Sequence, residues 1–133
     1  MVPVQLAALV VDEQSLAQQV RLGEVGGSRE VAIMIGMFEA LAIQRALGEA
    51  RSERPLTHKL LLDVIQALGA SLERVEVDGV ERDPQGDTFF AKLVLRQGEQ
   101  ELRVDSRPSD AIAAAVRAGV PLYVTEKVMS ALS

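Results

Sequence analysis

Twice in this chain an Arg-Pro pair stands at the entry to a helical pattern: in "ERPLTHKLLLDVIQALG", residues 53–69, and in "VDSRPSDAIAAAVRAG", residues 104–119. Proline lacks the N–H of a strand ladder and pushes the residue before it toward extended geometry. Each pair therefore ends one kind of structure and sets the entry to another. Aligning the prolines places Thr57 opposite Asp110, each two residues on and each of a type that caps helices. Gly69 and Gly119 close the two segments. The alanines from 113 to 115 allow close approach of a sheet or a second helix. None of these roles requires arginine before the proline, so Arg54 and Arg107 are left for ion pairing, with Glu53 or Asp105, or for binding.

Around these two marks the hydrophobic period alternates between strand and helix. Residues 2–12 mix alternation with a continuous apolar run, as a strand buried on both faces would. Gly26-Gly27-Ser28 separates two further strands, the second with Val31, Ile33 and Ile35 facing one way and Ala32 and Met34 the other. The period changes at Gly36 to a helix of about three turns that ends near Gly48. In the segment after the first Arg-Pro, Leu61, Val64, Ile65 and Leu68 make a stripe predicted to be buried. The second half carries inward positions at Leu72, Val75 and Val77, then Phe89, Ala91, Leu93 and Leu95, then Leu102 and Val104. After Gly119 come a short strand, "PLYV", and a last helix from Thr125.

This order predicts an α+β fold: a mixed or largely antiparallel sheet with helices packed on one side, in two similar strand-meander-plus-helix halves. At 133 residues the chain suits one domain, 1–133, with one core. No apolar run approaches the ~18 residues of a membrane span, and the N-terminus has neither the basic flank nor the cleavage site of a signal peptide. A cytoplasmic protein is expected. There is no cysteine, which excludes disulfides, thiol nucleophiles and thiolate zinc sites, and His58 is the single histidine. Lys and Arg number 14 against 19 Asp and Glu, a formal net charge of −5. Duplex DNA is not held by an overall field of that sign, so nucleic-acid contact calls for a local basic patch or for acidic residues that recruit a divalent metal.

The blocks "AIMIGMFEALAIQRAL", "RPLTHKLLLDVI" and "VDSRPSDAIAAAVRAGVPLYV" resemble, in that order, the hallmark segments of the bifunctional nuclease domain family, also called the domain of unknown function 151 family. The resemblance covers almost the whole chain, and the Arg-Pro-Ser-Asp-Ala-Ile block is its most specific part. It implies an α+β domain, a homo-oligomer, and hydrolysis of RNA and DNA. A dimer is the simplest form, since strands apolar on both faces, "LAALVV" and "VAIMI", need cover from a partner. It brings no assigned catalytic motif. Lys59 stands beside His58 where an acidic residue is frequent, and Ser106 stands where alanine is frequent. The first difference removes a carboxylate next to the only histidine.

Phosphodiester hydrolysis needs an activated water, charge neutralisation at phosphorus and a proton for the leaving oxygen. Asp105, Glu39 and Asp110 are the carboxylates suited to this work, and to holding a divalent metal such as Mg or Mn, with Glu126 a weaker candidate. His58 suits proton transfer near neutral pH. Arg54 and Arg107 suit bidentate contact with phosphate. Each has a plainer role: Glu39 in a first helical turn, Asp110 as a cap, Asp105 as an ion-pair partner, His58 as a solvated residue. Phe89 and Phe90 read as core rather than as base-stacking surfaces. The alternative function is a non-catalytic oligomeric binding or regulatory module.

Overall fold

The structure is a computed structural model describing residues 1–12, 14–15, 17–48 and 56–132. Seven strands form one sheet: β1 (Val2–Val10), β2 (Gln18–Glu24), β3 (Glu30–Ile35), β4 (Ser71–Glu81), β5 (Thr88–Gln97), β6 (Gln100–Ser106) and β7 (Leu122–Val124). The helices are α1 (Met37–Gly48), α2 (Thr57–Ala67), α3 (Pro108–Ala118) and α4 (Glu126–Leu132). Strand order is β3-β2-β1-β7-β4-β5-β6. Each half contributes an antiparallel three-stranded meander, and β7 joins them, antiparallel to β1 and parallel to β4. The mixed sheet and the two meanders are those expected of the sequence.

Register explains why one face carries the core. Cross-strand partners point to the same side of a sheet, and here Val31 pairs Leu22, Val2 pairs Val124, Val77 pairs Val124 and Ala91, and Leu93 pairs Val75 and Val104. Val104, on the edge strand, is nevertheless 43% exposed and not the buried position expected. A bulge between Leu72 and Arg74 shifts the alternation by one, which keeps Leu72 on the side of Val75 and Val77. The helices cover this face. In α3, Ala111 through Ala115 are all at most 2% exposed, so the alanine run brings its backbone close to α1 and the sheet. Gly119 closes α3 in the left-handed conformation at φ 70°.

The opposite face is open and charged. Glu76, 2% exposed, sits between Arg74 (2.8 Å) and Arg103 (2.5 Å), and Lys92 lies across from Asp105. Burial corrects three further expectations. Residues 2–12 are buried on one face only: Val2 and Val4 are inside, while Pro3 and Gln5 are exposed. Phe89 packs against the core, but its neighbour Phe90 points the other way, over Gly79, and is 36% exposed. In α2 the expected stripe is only half covered. Ile65 is buried and Leu61 packs on the core, whereas Val64 and Leu68 are exposed. The helix meets α3 and β4 along one edge, and its apolar surface is wider than that contact.

Candidate functional site

Three helices begin around one cavity of about 290 Å³, whose lining includes Glu39 of α1, His58 of α2 and Arg107, Ser109 and Asp110 at the start of α3. Glu39 is the third residue of α1, and its carboxylate folds back over Gly36. A Cβ at Gly36 would lie 2.5 Å from Glu39 Oε2, so a larger residue there would push this carboxylate aside. His58 is the second residue of α2. Arg107 is the N-cap residue of α3, extended at φ −71°, ψ 148°, and Pro108 follows at the first helical position, where its missing N–H costs nothing.

That start lies earlier than the capping pattern predicts. Asp110 is already inside the first turn of α3 and Thr57 is already inside α2, whose N-cap residue is Leu56. Neither helix has a side-chain cap hydrogen bond. At α3, Pro108 fixes helical φ at its own position, so that helix starts before Asp110 can cap it. Asp110 is released for other contacts. Thr125 does cap α4, where its hydroxyl accepts the N–H of Val128 at 3.3 Å.

The released carboxylate organises the cluster. Arg107 donates from Nε to Asp110 Oδ2 at 2.8 Å and from Nη2 to Oδ1 at 3.1 Å, and from Nη1 to Glu39 Oε1 at 2.8 Å. His58 Nε2 lies 3.0 Å from Asp110 Oδ1. Burial opposes ionisation of Asp110, but the hydrogen bonds from Arg107 and His58, with their charges, outweigh it and hold the carboxyl below the usual carboxylate range. The hydrogen bond to Asp110 in turn raises the pKa of Arg107. An ionised carboxylate only accepts, so His58 Nε2 carries the hydrogen of this contact, and in the corresponding neutral tautomer the lone pair is on Nδ1. Of the five guanidinium N–H groups of Arg107, three are used and two remain, and its side chain is 62% exposed.

The structure thus brings together Glu39, His58, Arg107 and Asp110 from the residues singled out in the sequence. Asp105 stands apart. Only two residues before Arg107, it points to the open face beside Lys92 (3.3 Å) and is 77% exposed, while Ser106 takes the core side. Strand alternation separates it from the cluster, and the partners of Arg107 are Glu39 and Asp110 instead. Glu126 is held by Arg29 at 2.8 Å, in a different ion-pair group with Glu24. Arg54 lies outside the described residues.

A divalent ion of the Mg or Mn kind needs several converging oxygen donors. Here the guanidinium of Arg107 bridges the carboxylates of Glu39 and Asp110 and takes up their charge. Among the described residues no group of three or more Asp, Glu or His is placed to hold a metal. These residues do not fit such an ion at this cluster.

Among the cavity residues that the sequence did not single out as site candidates are Phe38, Arg45 and Arg117. Their signal was spacing. Phe38 and Arg45 are seven apart on α1, and Asp110 and Arg117 seven apart on α3, which is two turns along one helix face.

Fold and site together define an α+β protein with a mixed-charge cavity at the starts of three helices. The sequence model of the bifunctional nuclease domain matches residues 20–133, and the chain belongs to that family. Two uncharacterized proteins of Mycobacterium tuberculosis, from strains CDC 1551 / Oshkosh and ATCC 25618 / H37Rv, are each 38% identical to it over 127 residues, covering 96% of this chain and 73% of theirs. Among the described residues no helix is long and apolar enough to cross a membrane.

Proposed function

We propose that this protein is a nuclease that hydrolyses phosphodiester bonds of RNA and DNA at the cavity between α1, α2 and α3. The observation that carries this reading is the hydrogen bond between His58 and Asp110 beside a guanidinium with unused donors, in a chain of the bifunctional nuclease domain family. Asp110 orients the imidazole and balances its charge when it is protonated. His58 Nδ1 takes a proton from the attacking water as the water oxygen bonds to phosphorus. The bond from phosphorus to the leaving sugar oxygen breaks, its electron pair stays on that oxygen, and the imidazolium returns the proton there. The two spare N–H groups of Arg107 face the charge that builds on the phosphoryl oxygens. Glu39 holds the third side of the guanidinium.

Self-association and a cytoplasmic location are part of this proposal. Leu60, Val64 and Leu68 lie four residues apart along α2 and are 52%, 46% and 71% exposed, an apolar stripe that a second copy in a dimer would cover.

The alternative of a non-catalytic binding or regulatory module is favoured by one feature, the commitment of Arg107 to two ion pairs. Labelled RNA and DNA strands incubated with the parent and with His58→Ala, each with and without EDTA, separate the readings. Cleavage by the parent that His58→Ala abolishes is expected. If the parent cleaves neither polymer under any condition, the hydrolytic reading falls and the binding module takes its place.

A further inference from the structure

Away from the Arg107 cluster, the same cavity is lined by Phe38, Ala42 and Arg45 of α1 and by Arg117 from the last turn of α3. Phe38 is 85% exposed, more than any other large apolar side chain described. An aromatic ring left in water at the rim of a cavity gains nothing from the core. Neither Arg45 nor Arg117 has an acidic partner among the described residues, and the Nε of Arg117 is shielded from solvent with no hydrogen-bond partner. A shielded guanidinium N–H without an acceptor is costly, and an oxyanion is the ligand that satisfies it best. Among the described residues Arg107 takes both carboxylates of the lining, which leaves Arg45 and Arg117 as the lining cations without one.

We infer that Phe38, Arg45 and Arg117 form a subsite for one unpaired nucleotide next to the hydrolytic cluster, and that the substrate class is single-stranded nucleic acid. The base stacks on the Phe38 ring, and a neighbouring phosphate meets the two arginines. Ala42, one turn from Phe38, leaves room between ring and guanidinium. At about 290 Å³ the cavity stands at the small end of ligand pockets, room for one nucleotide but not for a duplex. A base in a duplex has both faces covered by its neighbours, whereas an unpaired base offers a π-face whatever its identity. The subsite therefore selects for strandedness and not for sequence. This inference rests on the nuclease reading for its biological sense, but binding tests it independently of cleavage.

The chain has no tryptophan, so Phe38→Trp introduces a single indole fluorophore at the rim. Titration of the full chain carrying Phe38→Trp with a 12-nucleotide single-stranded DNA, in EDTA, should quench that fluorescence, and the same sequence as a duplex should not. Fluorescence anisotropy of the labelled 12-mer should show Phe38→Ala weakening single-strand binding about tenfold and Phe38→Trp retaining it. Arg117→Gln should lower the slope of log affinity against log salt by about 0.7, the value for one phosphate contact on a single strand. Light scattering on each variant reports whether Phe38 serves a subunit contact instead. The inference is overturned if Phe38→Ala leaves single-strand affinity unchanged, if it weakens single strand and duplex alike, or if it changes the mass of the particle. Binding that follows these expectations in a protein that cleaves nothing would keep the subsite and remove only the nuclease reading.

Discussion

Arg107 holds Asp110 at two points, Nε to Oδ2 at 2.8 Å and Nη2 to Oδ1 at 3.1 Å, and His58 shares the second oxygen at 3.0 Å. One carboxylate thereby fixes a planar cation and an imidazole at once. Because it is held ionised, it also decides which nitrogen of His58 bears the hydrogen.

Asp110→Asn should cost about 1 kcal/mol of stability, a charge-assisted contact discounted for partial exposure. Cleavage should fall at least a hundredfold, because an amide no longer stabilises the imidazolium. The pH dependence carries a sign. Asp110 has a folded pKa below its unfolded value, so its contribution is fully present above about pH 4 and is lost as pH falls through the lower folded value. Melting temperatures from about pH 6 down to 2 should therefore converge for parent and variant at the acid end. Curves that stay parallel throughout would disprove the coupling.

Arg107→Lys should retain part of the function of Arg107. An ammonium can meet Glu39 or Asp110 but cannot reproduce the fork that serves both. Cleavage intermediate between the parent and Arg107→Ala, with melting temperature lowered in both variants, is the expected order. Equal activity in Lys and Arg forms would show that only the charge matters.

Asp105→Asn is the contrast. Its carboxylate faces Lys92 on the open side of the sheet and is largely exposed, so the change should cost no more than about 1 kcal/mol and leave cleavage untouched. Loss of divalent-dependent cleavage in a well-folded Asp105→Asn protein would move the chemistry away from the cavity described above.

Glu76→Gln should be the most damaging of these substitutions to stability. Burial opposes the charge of Glu76, but hydrogen bonds from Arg103 and Arg74 overcome it and lower its pKa. Removing the charge takes the carboxylate partner from Arg103, while Arg74 keeps Glu73 and Glu101. A cost of about 2 kcal/mol is expected, below the usual figure for a broken buried pair because Arg103 is itself 41% exposed and regains water. Urea denaturation at pH 7 measures it, and a loss under about 0.5 kcal/mol would show the pair to be marginal.

Val64→Asp tests self-association. A carboxylate in the middle of the Leu60–Val64–Leu68 stripe leaves the monomer core intact, since Val64 is 46% exposed, but opposes contact with a second copy. Light scattering should show a parent larger than a monomer and a smaller variant. Equal masses would place any interface elsewhere.

Much of the architecture was legible along the chain. Alternation in "VAIMI" and "TFFAKLVLRQ", the change of period at Gly36 and the two Arg-Pro marks located both meanders and the helices, because burial of one sheet face imposes a period of two and helix packing a period near 3.6. The three sequence blocks and their order pointed to the family. Tertiary structure alone decided which polar residues meet. Asp105 and Arg107 are two apart in sequence but separated by the sheet, since Asp105 falls on its open face. Glu39, His58 and Asp110 are far apart in sequence but neighbours, since α1, α2 and α3 all begin at the same place. Local pattern specifies the direction in which a side chain leaves its own strand or helix. Which other direction it meets depends on the register of seven strands and the packing of helices across them, and no short stretch of sequence contains that.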